Sequence, residues 1–207
     1  QESLYMLGMA EYNSKDYEGA AATFKKYFSS YPKGAYAQEA EFYAGMSLYN
    51  STPEPRLDQS RTVNAIAAFQ EYIDLFPDGK ERSQAQQRLF ELQDKLVQKE
   101  LYSAQLYYDL GQYFGNCTYG GNNYEACIIT AQNALKDYPY SKLREKFSLL
   151  VMKSKFELAQ QSVEEKKLER FQDAEDECYG FLNEYPDSKD KVTAEKFITK
   201  CKSFTKD

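Results

Sequence analysis

The chain has 207 residues, a formal net charge of −6 and 28% charged side chains, with 19 Tyr, 13 Phe and neither Trp nor His. The acidic balance argues against a nucleic-acid binder, which shows a basic patch, and the lack of His removes the commonest general base and metal ligand. No apolar run approaches the roughly 18 residues of a membrane-spanning helix.

The first predicted helix covers residues 1–13. Gln1 to Tyr5 already fall inside its pattern, without a start Met or signal peptide. The chain is therefore expected to begin part-way through a longer protein, with any targeting signal or lipid-attachment cysteine upstream. A second helix covers 16–31, with Asp16 as its N-cap and Pro32 as its stop. Gly8 lets the two helices approach closely, and Ala20 is expected to face it. A third helix runs over 34–50. Residues 51–56, Ser-Thr-Pro-Glu-Pro-Arg, are too proline-rich to be helical. Gly45 to Ala65 spans 20 residues against 12 from Gly8 to Ala20, so this loop is an insertion. The fourth helix covers 58–76. No breaker then appears from Lys80 to Leu110, and one long helix, or two nearly coaxial ones with a kink near 97–100, is expected there. A second insertion covers 115–123. Helices over 124–138, 142–162, 168–185 and 189–204 complete the chain, the last a Lys-rich cap.

The organising signal is a repeat. An aromatic followed by proline occurs at Tyr31-Pro32, Phe76-Pro77, Tyr138-Pro139 and Tyr185-Pro186. A small residue follows each proline by two, at Gly34, Gly79, Ser141 and Ser188. Another precedes it by twelve, at Ala20, Ala65, Cys127 and Ala174. Gly8-Met9-x-x-Tyr12-Asn13 returns as Gly45-Met46-x-x-Tyr49-Asn50. A small-residue contact, a buried aromatic and a terminal proline within about 34 residues are the signature of a tetratricopeptide (TPR) hairpin. The expected fold is all-α: one TPR-type solenoid over 1–207, a right-handed α-α superhelix of about nine helices. Its N-terminal half is 1–79, its long linking helix 80–114 and its C-terminal half 115–207.

Chemistry-bearing motifs are sparse. Cys117, Cys127, Cys178 and Cys201 form no C-x-x-C pair, so no zinc site is expected. Cys127 and Cys178 read as buried thiols on inward faces. A Cys117–Cys127 disulfide is geometrically possible in an oxidising compartment. The acidic residues over 164–187 are interleaved with Lys166, Lys167 and Arg170 and read as a solvated face rather than paired catalytic carboxylates. No P-loop, nucleophile-elbow or zinc-protease motif occurs, so no enzyme and no cofactor are expected. Asn50-Ser51-Thr52 and Asn116-Cys117-Thr118 match the glycosylation triplet, a pattern common by chance. Tyr5, Tyr12, Phe42, Tyr49, Tyr108 and Phe156 recur on the first helix of each hairpin. Inter-helix packing is expected for about half of them, and an aromatic groove for a peptide or partner helix from the rest. Lys196 and Lys200 beside the acidic 164–187 stretch offer a polarised surface for a second partner.

The run Leu96-Val97-Gln98-Lys99-Glu100-Leu101-Tyr102, continuing to Tyr107-Tyr108-Asp109-Leu110-Gly111, resembles a K-E-L-Y…Y-Y-x-x-G segment of the BamD family, also called YfiO or ComL-like lipoproteins. The hairpin ending Ala134-Leu135-Lys136-Asp137-Tyr138-Pro139-Tyr140-Ser141 is similar too, as is the opening around Leu4-Tyr5, Gly8 and Tyr12. The resemblance implies an outer-membrane lipoprotein facing the periplasm, held by an upstream lipid anchor. It implies a scaffold in the machinery that folds β-barrel proteins, with two protein partners. The C-terminal half would engage the barrel-forming assembly subunit, and the N-terminal half would handle unfolded outer-membrane protein segments. The chain departs from the family at its two insertions and at a missing N-terminal hairpin. Two other readings compete: another periplasmic TPR adaptor of the cell envelope, and a helical-repeat carbohydrate-binding lipoprotein. The second would want exposed Trp, and the chain has none.

Overall fold

The computed structural model describes residues 1–113 and 122–205. Nine helices run through them: α1 (Glu2–Asn13), α2 (Tyr17–Ser30), α3 (Ala37–Asn50), α4 (Ser60–Leu75), α5 (Arg82–Tyr113), α6 (Asn123–Asp137), α7 (Arg144–Gln160), α8 (Glu164–Glu184) and α9 (Lys191–Thr205). There is no strand among the described residues, so the fold is all-α, with helical hairpins packed in sequence order. The chain divides into two compact units, Gln1–Leu96 and Val97–Asp207. The boundary falls inside α5, whose 32 residues make about 48 Å of helix.

The four aromatic–proline anchors have one backbone solution. Tyr31, Phe76, Tyr138 and Tyr185 cap α2, α4, α6 and α8 with φ between −138° and −125° and ψ between 61° and 69°. The following proline ring clashes with an α conformation at the residue before it, so the helix must stop there. Each cap N–H still closes the final turn, onto Tyr27, Tyr72, Ala134 and Phe181 respectively. The small residue beyond the proline then returns its N–H to the cap carbonyl, at 2.9 Å for Gly34, 3.0 Å for Gly79, and 3.1 Å for Ser141 and Ser188. At the other end of α2, Asp16 accepts from the Gly19 N–H at 3.1 Å, the expected N-cap. Lys15, just before it, holds a left-handed φ of 66° in the tight turn from α1.

The small residues twelve before each proline, Ala20, Ala65, Cys127 and Ala174, are fully buried. Gly8, however, faces a different residue from the one expected. The ring of Phe24, one turn beyond Ala20 on α2, lies over it. Phe69 covers Gly45 in the same way, and Tyr124 covers Gly111. Each glycine opens a slot on a first helix for an aromatic ring of the second. A related pairing closes the hairpins of the first unit. The Tyr27 hydroxyl occupies the space a Gly34 side chain would fill, and the Tyr72 hydroxyl does so at Gly79. In the second unit the matching positions are Ala134 and Phe181, without hydroxyls, and Ser141 and Ser188 replace the glycines.

Two aromatic clusters form the core of the first unit. Phe24 and Tyr27 pack with Ala40 and Ala44 of α3. Phe42, Phe69 and Tyr72 pack with Ala85, Leu89 and Leu92 of α5. In the second unit Val97 and Ala104 of α5 meet Cys127 and Ala131 of α6 and Phe147 and Val151 of α7. Met152, Phe156, Phe171, Cys178 and Phe181 carry the core on to α9. Helix α8 begins at Glu164, four residues before its expected start, with Glu164 and Glu165 in its first turn where the helix dipole favours acids.

Candidate protein-interaction surfaces

The six first-helix aromatics separate into two groups. Tyr5 is buried. Its ring stacks on Tyr36 at 4.4 Å, and its hydroxyl donates to Glu39 at 2.8 Å. Burial, then that carboxylate, push its pKa up. Phe42 is buried between Tyr72 and Phe69, at 5.6 and 6.3 Å. Phe156 is buried against Phe197, stacked at 3.9 Å, with Phe171 edge-on at 6.2 Å. These three rings fill seams between helices and are core residues, so the expected groove does not include them. Tyr12, Tyr49 and Tyr108 are half-buried and keep part of their surface in solvent.

Tyr12 and Tyr49 belong to one polar surface on α1, α3 and the first half of α5. The Tyr12 ring sits edge-on to Tyr43 at 5.3 Å and Tyr17 at 5.7 Å, and its hydroxyl accepts from Asn50 at 2.9 Å. The Tyr49 hydroxyl donates to Glu91 at 2.7 Å. The Arg88 guanidinium lies 5.0 Å from the centre of the Tyr49 ring and pairs with Glu91 at 2.7 Å. Hydrogen bonds from Tyr49 and Arg88 hold the Glu91 carboxyl below the usual carboxylate range. One turn on, the Lys95 ammonium donates to Thr52 at 2.6 Å, and its burial lowers its pKa. Thr52 belongs to the first insertion, so that loop is fastened to this surface. Its far end is tied by Gln59, whose amide donates to the carbonyls of Glu54 and Leu57 and whose oxygen accepts from buried Thr62. Sequence reading missed Asn50, Arg88, Glu91 and Lys95. Their partners lie 38 to 43 residues away, and only the i, i+3 spacing of Arg88 and Glu91 was visible.

In the second unit Tyr108 lines a cavity of about 430 Å³ between α5 and α7. Leu101, Leu149 and Leu150 give it an apolar floor, and Lys146 and Lys153 stand beside it. Asp190 pairs with Lys153 at 3.7 Å. Lys196 and Lys200 are exposed on α9. The Lys200 ammonium donates to Gln160 at 2.5 Å and lies 5.4 Å from the Phe156 ring centre. The acidic 164–187 stretch is a paired, solvated face. Lys155 bridges Asp173 at 3.1 Å and Glu177 at 2.7 Å, and Arg170 reaches Glu125 at 3.0 Å.

Cys127, Cys178 and Cys201 are buried free thiols. Cys117, the Asn116 triplet and most of the second insertion lie outside the described residues, and so does the Cys117 end of the geometrically possible Cys117–Cys127 disulfide. Among the described residues no group of three or more Cys, Asp or Glu is arranged to hold a metal ion. None of their helices is long and apolar enough to cross a membrane.

Two comparisons place this architecture. A curated relative, the outer membrane protein assembly factor BamD of Caulobacter vibrioides, is 25% identical over 112 residues. That stretch is 54% of this chain and 37% of the relative, so the match spans little more than a third of that protein's length. The family model for YfiO, described as an outer membrane lipoprotein, matches residues 1–117, from α1 to just beyond α5. With more than half its length matched, the chain belongs to the YfiO family, outer-membrane lipoproteins that face the periplasm.

Proposed function

We propose that this chain is a non-enzymatic scaffold of the machinery that assembles β-barrel proteins in the outer membrane. It binds the barrel-forming assembly subunit through its second unit and unfolded substrate segments through its first. The observation that carries this reading is the alignment with a protein named as an outer-membrane assembly factor, over a stretch built of helical hairpins. The first-unit surface supports the substrate role. Tyr12 and Tyr49 keep exposed ring area, and aromatic rings make good anchors because they lose little side-chain entropy. The polar groups around them offer hydrogen bonds to an extended chain. In the second unit, the cavity beside Tyr108 and the ammonium groups of Lys196 and Lys200 suit an apolar, acidic partner surface.

The test is one capture experiment with two variants. Tyr12→Ala with Tyr49→Ala should weaken retention of C-terminal peptides from barrel proteins and leave the assembly subunit bound. Lys196→Glu with Lys200→Glu should release the subunit and leave peptide capture intact. Loss of the same partner by both variants, or of neither, overturns the division of labour.

A further inference from the structure

Helices α8 and α9 each carry a buried cysteine in the seam between them, in neighbouring core clusters that share the Phe197 ring. Thr205 of α9 donates to Glu175 of α8 at 3.2 Å, and the Lys202 ammonium lies 5.4 Å from the Tyr179 ring centre. These contacts set an antiparallel register that brings Cys201 level with the turn of α8 holding Cys178. The burial pattern agrees. Cys178 packs with Ala194 and Ile198 of α9, and Cys201 packs with Phe171 and Ala174 of α8. Both thiols are therefore fully buried in the α8–α9 seam, at adjacent levels of it.

We infer that Cys178 and Cys201 are a cross-helix redox pair that closes to a disulfide, clasping α9 to α8. The periplasmic setting of the family supplies the oxidising conditions such a bond needs. The docked thiols are unreactive, since burial, with the Cys201 thiol adding to it, pushes Cys178 up to about 12, and burial pushes Cys201 up to about 11. The reaction therefore belongs to the moments when α9 opens locally from α8. The Cys201 thiolate attacks one sulfur of a small-molecule or protein disulfide and expels the first thiolate. The Cys178 thiolate attacks the Cys201 sulfur of this mixed disulfide and expels the second. Two protons leave the protein, and its two electrons reduce the oxidant disulfide to two thiols. Redocking buries the new bond, and α9 can no longer peel away.

The experiment uses the whole chain incubated with glutathione disulfide, at a urea concentration that opens α9 but leaves the rest folded. After acid quench and alkylation, peptide mapping should find Cys178 linked to Cys201. Proteolytic cleavage in α9 should slow roughly three-hundredfold, the change expected from closing a loop of this size. Cys201→Ser should abolish both effects, and Cys127→Ser should leave both in place. If Cys201→Ser fails to fold, the linked peptide and the slowed α9 cleavage of the oxidised parent, each compared with the reduced parent, decide together. Recovery of Cys178 and Cys201 as separate alkylated or glutathionylated peptides overturns the inference. So does a linked peptide that leaves α9 cleavage unchanged.

Discussion

Alanine at four glycines gives the sharpest test of how the hairpins pack. An ideal Cβ at Gly111 would lie 2.6 Å from one ring carbon of Tyr124 and 2.8 Å from two others. At Gly8 the distances to the Phe24 ring are 2.7, 2.9 and 3.0 Å, and at Gly45 the nearest Phe69 carbons are at 3.0 Å. Carbon atoms prefer about 3.5–4.0 Å, so at Gly111 and Gly8 a ring must move. Neither ring is free to do so. Tyr124 is 1% exposed with Tyr108 edge-on at 5.7 Å, and Phe24 is wedged between Tyr5 and Tyr43. Overpacking of this kind costs about 1–3 kcal/mol. Against it stands the helix-propensity gain of Gly→Ala, about 0.8–1 kcal/mol. Gly180 isolates that gain, since it is exposed in α8 and a Cβ there meets nothing within 4 Å. In urea melts followed by circular dichroism, Gly180→Ala should therefore stabilise by about 1 kcal/mol. Gly111→Ala and Gly8→Ala should fall below it by about 1–3 kcal/mol, with Gly45→Ala between. Leucine at Gly8 or Gly111 should be worse than alanine. If all four alanine variants gain equally, the rings do not occupy the slots described above.

Two carboxyls give opposite pH signatures. Glu41 is buried in α3, with Glu71 opposing and Lys25 favouring its charge, and its pKa is raised chiefly by burial. Stability should therefore fall as pH rises from the ordinary carboxylate range to its raised value, and Glu41→Gln should raise Tm at pH 7 with no gain in acid. Glu91 is held low, so its contribution is present above the ordinary range and lost as pH falls through its depressed value; Glu91→Gln should flatten that limb of the acid titration. Asp16→Ala should cost about 1 kcal/mol in a thermal melt through loss of the α2 cap, and an unchanged Tm would show the cap is idle. Lys15→Gly should stabilise by up to about 1 kcal/mol, because glycine accepts the left-handed turn without strain.

Legibility of the chain followed the range of the forces involved. The anchors and caps are local, set within five residues by proline sterics and side-chain hydrogen bonds, and they were readable. Helical periodicity fixes a face but not a level along the axis, so Gly8 was matched to Ala20 although Phe24, on the same face one turn on, fills the slot. The first-helix aromatics were ambiguous for a related reason. A ring at a given place in the repeat reads alike whether it enters the seam, as Phe42 and Phe156 do, or lies along its rim, as Tyr12 and Tyr49 do. The Tyr49–Arg88–Glu91 cluster joins residues some forty positions apart, and nothing local marks it. The Cys178 and Cys201 relation depends on the register of α8 against α9, which no motif encodes.

The hydroxyls of Tyr27 and Tyr72, seated where Gly34 and Gly79 lack side chains, bear on how such an array can change by mutation. In those hairpins any residue larger than glycine meets the hydroxyl at 2.7 Å, whereas in the last two hairpins serine is already in place. At Gly34 the passage to the other form has a favoured order, in which the tyrosine loses its hydroxyl before the glycine gains a side chain; at Gly79 the Gln38 amide also stands at 2.7 Å and must move as well. The two sites are epistatic. Tyr27→Phe alone should cost only the 3.3 Å bond its hydroxyl accepts from the Tyr36 N–H, and Gly34→Ser alone should be more damaging, while the double change relieves the clash that the second creates. Surviving lineages should therefore pass through phenylalanine with glycine, and seldom through tyrosine with serine.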